Sequence, residues 1–196
     1  MKTKSELTRE KILQAALHEF SIHGLAGARV DEIARSAGIN KAMIYYHFES
    51  KEALFNQLFR SEMEFLKLEV TSLLQQRDTT SATDMTVAMK GLLEYVAGKK
   101  KLLTVLISET VRNNSQISHL FQLLDVTTAI GLEAVQKDGR KLPGENEPIF
   151  HELFSGLLPL IYYVLLRDQL RTYYGWKEET LDDRFIAYWL RHHGGY

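Results

Sequence analysis

The sequence predicts an all-α fold. Apolar residues recur three and four positions apart through most of the chain, which is the spacing of a buried helix face. No stretch alternates apolar and polar residues as a half-buried strand would. The interruptions are short polar runs rich in Ser, Thr, Asp, Gly and Pro, at 77–84 (RDTTSATD) and 137–148 (KDGRKLPGENEP).

Met1 to Ser5 read as a polar arm. From Leu7 to His23 the residues Ile12, Ala16 and Phe20 repeat every four positions, and Gly24 ends that first helix. The run 30–51, VDEIARSAGINKAMIYYHFESK, reads as two short helices about a tight turn. Val30, Ile33, Ala34 and Ala37 share one face of the first of them. Gly38 stops it, because glycine takes the left-handed conformation cheaply. Asn40 suits the N-cap of the next helix, whose buried edge is Ile44 and Phe48. The helix before this pair is expected to buttress it, since three short helices close a core that two cannot. Ser50 caps a fourth helix, whose rhythm persists from Leu54 to Leu73.

Met85 to Val96 mark a fifth helix, stopped near Gly98. Lys99, Lys100 and Lys101 read as a solvated helix start rather than a second nucleic-acid site. Helices follow over Leu102–Val111 and Ile117–Val135. Ile149 to Tyr174 is the longest apolar helix of the second half, and Pro159 should bend it. A last helix begins at Thr180 or Asp182 and runs past Leu190. The expected division is a helix-turn-helix head over residues 1–50 and a helical body over 51–196.

A short helix with one thin apolar edge is held by its neighbours and offers its outer face. That is the plan of a helix-turn-helix, whose second helix enters the DNA major groove. An ordinary antiparallel helix pair would share the turn. The outer face separates the two readings: Lys41, Tyr46, His47 and Lys51 are donors suited to phosphate and base edges, with no acid among them.

The run TREKILQAALHEFSIHG, followed by ARVDEIARSAGINKAMIYYHFESKEALF, resembles the N-terminal domain of tetracycline-repressor-like (TetR) transcription regulators. The likeness covers roughly the first 55 residues, with Ile12, Ala16, Phe20, Gly24, Ile33, Ala34, Ala37, Gly38, Tyr45, Phe48 and Lys51 in register. It implies a DNA-binding surface of Arg29, Lys41, Ala42, Met43, Tyr45, Tyr46, His47 and Lys51. Within it, Lys51 and Tyr45 are expected at phosphates, and Lys41, Met43 and Tyr46 at bases. Many members carry Thr or Ser at both positions where this chain has Ala28 and Arg29. A hydroxyl cap is lost there, and Arg29 offers a phosphate contact in its place.

Totals exclude other classes. Net charge is −1. The first 60 residues hold nine Lys or Arg against seven Asp or Glu, a net of +2, which leaves −3 for the remainder. That mild asymmetry suits a DNA-reading head on a neutral body. The absence of cysteine excludes disulfides, thiolate catalysis and Cys-based zinc sites. The start MKTKSELTREK lacks the apolar core of a signal peptide, and no unbroken apolar run is long enough to span a bilayer. These features predict a cytoplasmic protein without a membrane partner. The seven histidines are scattered, and no catalytic constellation, cofactor motif or metal site is evident. The chain therefore does not read as an enzyme.

The helix Ile149–Tyr174 is apolar around more than half its circumference, too much for packing on one side. Either it is fully buried in the body or it forms a dimer interface. The TetR resemblance implies the latter, with the last two helices of each subunit joined to their mates through Phe154, Leu158, Ile161, Leu165, Phe185 and Trp189. Arg167, Asp168 and Arg171 would lie at the rim. The resemblance also implies a cavity in the body, near Phe65, Met85, Met89, Leu106, Phe121 and Tyr162. Methionines and aromatics suit an adaptable apolar pocket, and equally a plain core. The expected function is a repressor that binds a palindromic operator as a homodimer and is released by an apolar or amphipathic small molecule. The rival is a helical adaptor that binds another protein through the head, without salt-dependent DNA affinity.

Overall fold

The computed structural model describes residues 3–75, 81–113, 117–137, 144 and 147–193. Every regular element among them is helical: α1 Lys4–Gly27, α2 Val30–Ala37, α3 Lys41–His47, α4 Lys51–Gln75, α5 Ala82–Gly98, α6 Lys100–Asn113, α7 Ile117–Lys137 and α8 Glu147–His151. A π-helical turn, Glu152–Leu157, leads into α9 Leu158–Tyr174, and α10 is Glu178–His193. Most of the two polar interruptions falls outside the described residues, but Ser81 caps α5 and Glu147 and Pro148 open α8.

The expected polar arm is shorter than its composition suggests. Thr3 and Glu6 form a reciprocal capping box: Glu6 N–H donates to Thr3 Oγ1 at 3.2 Å, and Thr3 N–H to Glu6 Oε2 at 2.6 Å. The helix therefore starts at Lys4.

The chain packs as two units, Met1–Glu64 with Lys101–Leu120, and Phe65–Lys100 with Phe121–Tyr196. Packing thus does not follow the motif boundary at residue 50. The physical reason lies in α6, which places Leu102 and Val105 in the same core as Ile12, Phe20, Ile33, Ile44, Phe48 and Phe55. His119 of α7 sets its ring edge-on to Phe59 and Phe55, at 4.5 and 5.7 Å. Burial, with Arg60 nearby, holds that imidazole below the usual histidine range.

Gly24 interrupts α1 rather than ending it. It adopts φ +68°, and the chain resumes a helical turn to Gly27. The freed Leu25 N–H donates to Glu109 Oε1 of α6 at 3.0 Å, and Glu109 is 1 % exposed. A Cβ at Gly24 would stand 2.7 Å from the same carboxylate oxygen, so both the backbone angle and the close approach require glycine.

In the second unit, Leu160, Ile161 and Val164 of α9 are buried, as are Met89 and Leu93 of α5 and Ile186 of α10. Tyr163 stacks on Phe185 at 3.9 Å, and its hydroxyl donates to Asp182. The π turn stands where the sequence predicts a bend at Pro159. Proline brings no N–H and its ring crowds the carbonyl four residues back, so the ladder ahead of it widens. Leu158 N–H accordingly donates to Leu153 O, five residues away. Trp189 Nε1–H reaches Gly156 O at 3.1 Å from α10. Glu152, at the head of this turn, is buried, and burial pushes its carboxyl up to about 7 against the pull of a hydrogen bond from Thr127.

The stretch Glu147–Tyr174 corrects one expectation. As one 28-residue helical run it is long and apolar enough to cross a membrane by length and composition, although a third of its apolar window is buried in the chain. A search for unbroken apolar runs misses it because Glu152, Ser155 and Gly156 interrupt the sequence.

Candidate nucleic-acid interface

The recognition helix is built by short-range chemistry. Gly38 takes φ +69°, ψ +34°, which turns the chain out of α2. Asn40 then caps α3, its Oδ1 accepting the Met43 N–H at 2.9 Å. Ile44 and Phe48 face the core at 2 and 5 % exposure. With that edge fixed, the opposite side of α3 faces solvent: Tyr46 is 79 % and Tyr45 49 % exposed. Lys41 and Ala42 are exposed as well, while Met43 and His47 are half-buried.

Two of the expected cations are engaged. Lys41 Nζ donates to Asp31 Oδ2 at 3.0 Å, and both side chains remain largely exposed. That hydrogen bond and the adjacent charge raise the lysine above its ordinary range. Lys51 Nζ donates to Ala26 O at 2.9 Å and Ala28 O at 3.1 Å. Its ammonium is thereby fixed beside the last carbonyls of α1, where a helix favours positive charge.

The missing hydroxyl cap at α2 has a substitute. Arg29 is the N-cap residue, and its side chain makes no capping bond. Its backbone N–H instead donates to Glu19 Oε1 of α1 at 3.2 Å, and Glu19 is buried. The Arg29 side chain is exposed and not committed to the cap. Sequence reasoning missed Glu19, Asp31 and Arg9, whose guanidinium stands 5.3 Å over the Phe48 ring. All three act across elements, beyond the reach of local spacing.

The body residues are placed less uniformly. Met89 and Leu106 are buried, Met85 is half-buried, and Phe65, Phe121 and Tyr162 are exposed. Leu106 belongs to the first unit and the other five to the second. Of the expected interface residues, Phe154 is exposed and Leu158 and Leu165 are half-buried. Phe185 stacks on Tyr163, and Trp189 bonds Gly156, each half-buried within the chain. Ile161 is a correction. At 1 % exposure it is core of the second unit and faces no partner, because the π turn and α9 direct Leu157, Leu160, Ile161 and Val164 inward together. The charged rim also closes on the chain itself: Arg167 pairs with Asp182 at 3.3 Å, and Asp168 with Lys100 at 2.6 Å. Among the described residues no group of three His, Cys, Asp or Glu is placed to hold a metal ion.

A capped reading helix, braced by two others with its outer face bare, defines a helix-turn-helix DNA-binding domain on an all-helical body. Residues 12–58 match the family described as bacterial regulatory proteins, tetR family. The match covers the head alone, which is similar to the DNA-binding part of that family's transcription regulators. It is 35 % identical over 104 residues to the HTH-type transcriptional repressor SCO4008 of Streptomyces coelicolor, covering 53 % of this chain and 50 % of that protein. The chain thus spans about half the length of that relative. It is 29 % identical over 157 residues to the HTH-type transcriptional regulator SrpR of Pseudomonas putida, covering 80 and 66 %. The fold also matches FadR from Bacillus subtilis in complex with stearoyl-CoA, with a TM-score of 0.67, 18 % identity and coverage of 95 and 99 %. All three of these proteins are named as transcriptional regulators or repressors.

Proposed function

We propose that the protein is a cytoplasmic repressor that binds a palindromic operator as a homodimer and releases it when an apolar or amphipathic small molecule binds the body. The observation that carries the DNA half is the bare outer face of α3, with Tyr46 four-fifths exposed while Ile44 and Phe48 are core. In this reading Lys41, Met43 and Tyr46 meet base edges and Ala42 lies close against the groove. Arg29, Tyr45 and Lys51 meet phosphates.

The dimer half is supported by the outer face of the Glu147–Tyr174 run. Phe150, Phe154, Tyr162, Leu166 and Tyr173 are between 46 and 83 % exposed in a single chain, an apolar patch that monomeric proteins rarely leave open. A second copy of the chain is the proposed occupant, in place of a lipid surface. The effector reading draws on the bound stearoyl-CoA of the structural neighbour and, within the second unit, on Phe65, Met85, Met89, Phe121 and Tyr162.

One reading helix per subunit requires two half-sites about 34 Å apart, or a multiple of that. Footprinting upstream of the protein's own and neighbouring genes should show paired half-sites, with affinity falling steeply as salt rises. Protection of a single isolated half-site by a monomer would refute the palindromic reading. Affinity indifferent to salt would favour a protein-binding head instead.

A further inference from the structure

Tyr46 and His47 are neighbours on α3, and the structure treats them unequally. Tyr46 is 79 % exposed. His47 is half-buried, and its Nε2 is shut off from solvent with no hydrogen-bond partner among the described residues. The two rings meet edge-on, with centroids 5.1 Å apart and planes at 83°. On its other side His47 lies tilted against Phe48, at 6.3 Å and 48°. Phe48 is core, and the Arg9 guanidinium lies over its ring. The imidazole therefore stands between a fixed ring and the most exposed ring of the reading helix.

We propose that His47 is a positioning residue for sequence reading: it fixes where the Tyr46 ring stands and takes no phosphate through Nε2. The inference goes beyond the proposed function and rests on its assignment of Tyr46 to base edges. Aromatic rings with opposed edge and face charge prefer edge-on contact, which selects one tyrosine orientation among several. A side chain held in its bound rotamer before the groove closes on it loses less entropy on binding. Turning Nε2 outward to a phosphate would break the contacts with Tyr46 and Phe48 together.

The test uses the full-length protein, its operator and operators altered one base pair at a time, over a range of salt. His47→Ala should weaken operator binding about two- to tenfold, the value of one edge-on aromatic contact. The loss should fall on the base pairs that Tyr46→Ala also affects. His47→Phe, which keeps a ring and removes both nitrogens, should retain affinity, base preference and salt slope. In a Tyr46→Ala background, His47→Ala should add nothing. Thermal melts establish that the variants remain folded. An even loss for His47→Phe on every sequence, with a salt slope smaller by about one, would make His47 a phosphate ligand and overturn the proposal. So would His47→Ala that leaves base preference intact while Tyr46→Ala changes it. If Tyr46→Ala changes neither affinity nor preference, the underlying placement of Tyr46 fails instead, and the two failures are distinguishable.

Discussion

Glu152 is a carboxyl that folding strips of water, and that makes stability depend on pH. Its folded-state value of about 7 lies above the ordinary 4.5, so the folded chain holds its proton where the unfolded chain has released it. Below pH 4.5 both states are protonated and stability is whole. As pH rises from there to about 7 the unfolded state is increasingly favoured, and above 7 the loss is complete, on the order of 3 kcal/mol. Glu152→Gln removes the titration and keeps a hydrogen-bonding side chain of the same size. Its Tm should exceed that of the parent protein at pH 8 and approach it at pH 4.5; equal gaps at both pH values would show that the carboxyl does not titrate in this window. Lys51 poses a different residue-scale question, because its two carbonyl bonds leave one N–H for DNA. Lys51→Ala should lower the stability of the head by about 1 kcal/mol and weaken binding evenly across sequences. A change confined to particular base pairs would place Lys51 in the groove. Where residues act on near neighbours, the sequence was readable: Gly38, Asn40 and Ser50 stop and cap helices by chemistry that spans three or four positions. Glu109 was not, because nothing near residue 109 marks it as the partner of an N–H 84 positions away.

At the scale of elements, periodicity found the helices but could not orient the most apolar one. Where nearly every position of Ile149–Tyr174 is apolar, spacing alone does not tell the buried edge from the open one. Ile161 fell on the wrong side for that reason, and Tyr162, one residue on, is 47 % exposed. The π turn adds a second reason. A straight α-helix drifts about 40° with every four-residue step, so Phe150, Phe154, Leu158 and Tyr162 would wind around it. A wider turn between residues 152 and 157 opposes that drift and draws them toward one stripe. The proposed interface follows from that stripe. Phe154→Glu with Tyr162→Glu places charges on exposed positions, so the monomer should fold with an unchanged far-UV spectrum. In a dimer the same charges would be buried without partners, and sedimentation should show monomers with weakened operator binding. Intact dimers of this double variant would move the interface off this face. Binding of the parent protein to vesicles, abolished by the same pair, would make the face a lipid contact.

On the scale of the whole molecule the proposal is a coupling between two ligands, DNA and an effector. Such coupling needs no particular path, only two arrangements that the ligands favour differently. The chain supplies continuous elements through which a bias can pass: α4 and α7 each contribute residues to both units, and α6 packs into the core behind the reading helix. A typical coupling of about 1–3 kcal/mol corresponds to a change in affinity of roughly 5- to 150-fold. Thermodynamics then fixes a relation that any mechanism must obey. If an effector weakens operator binding by a given factor, saturating operator must weaken effector binding by the same factor. Stearoyl-CoA and an uncharged long-chain alcohol are suitable first probes, since one carries the headgroup seen in the structural neighbour and the other only the apolar chain. Calorimetric titration of each into the protein, with and without operator, should give unequal affinities for a true effector, and gel-shift titration should return the same ratio. A probe that binds equally well in both states shifts nothing however tightly it binds, and would be an occupant of the body rather than its regulator.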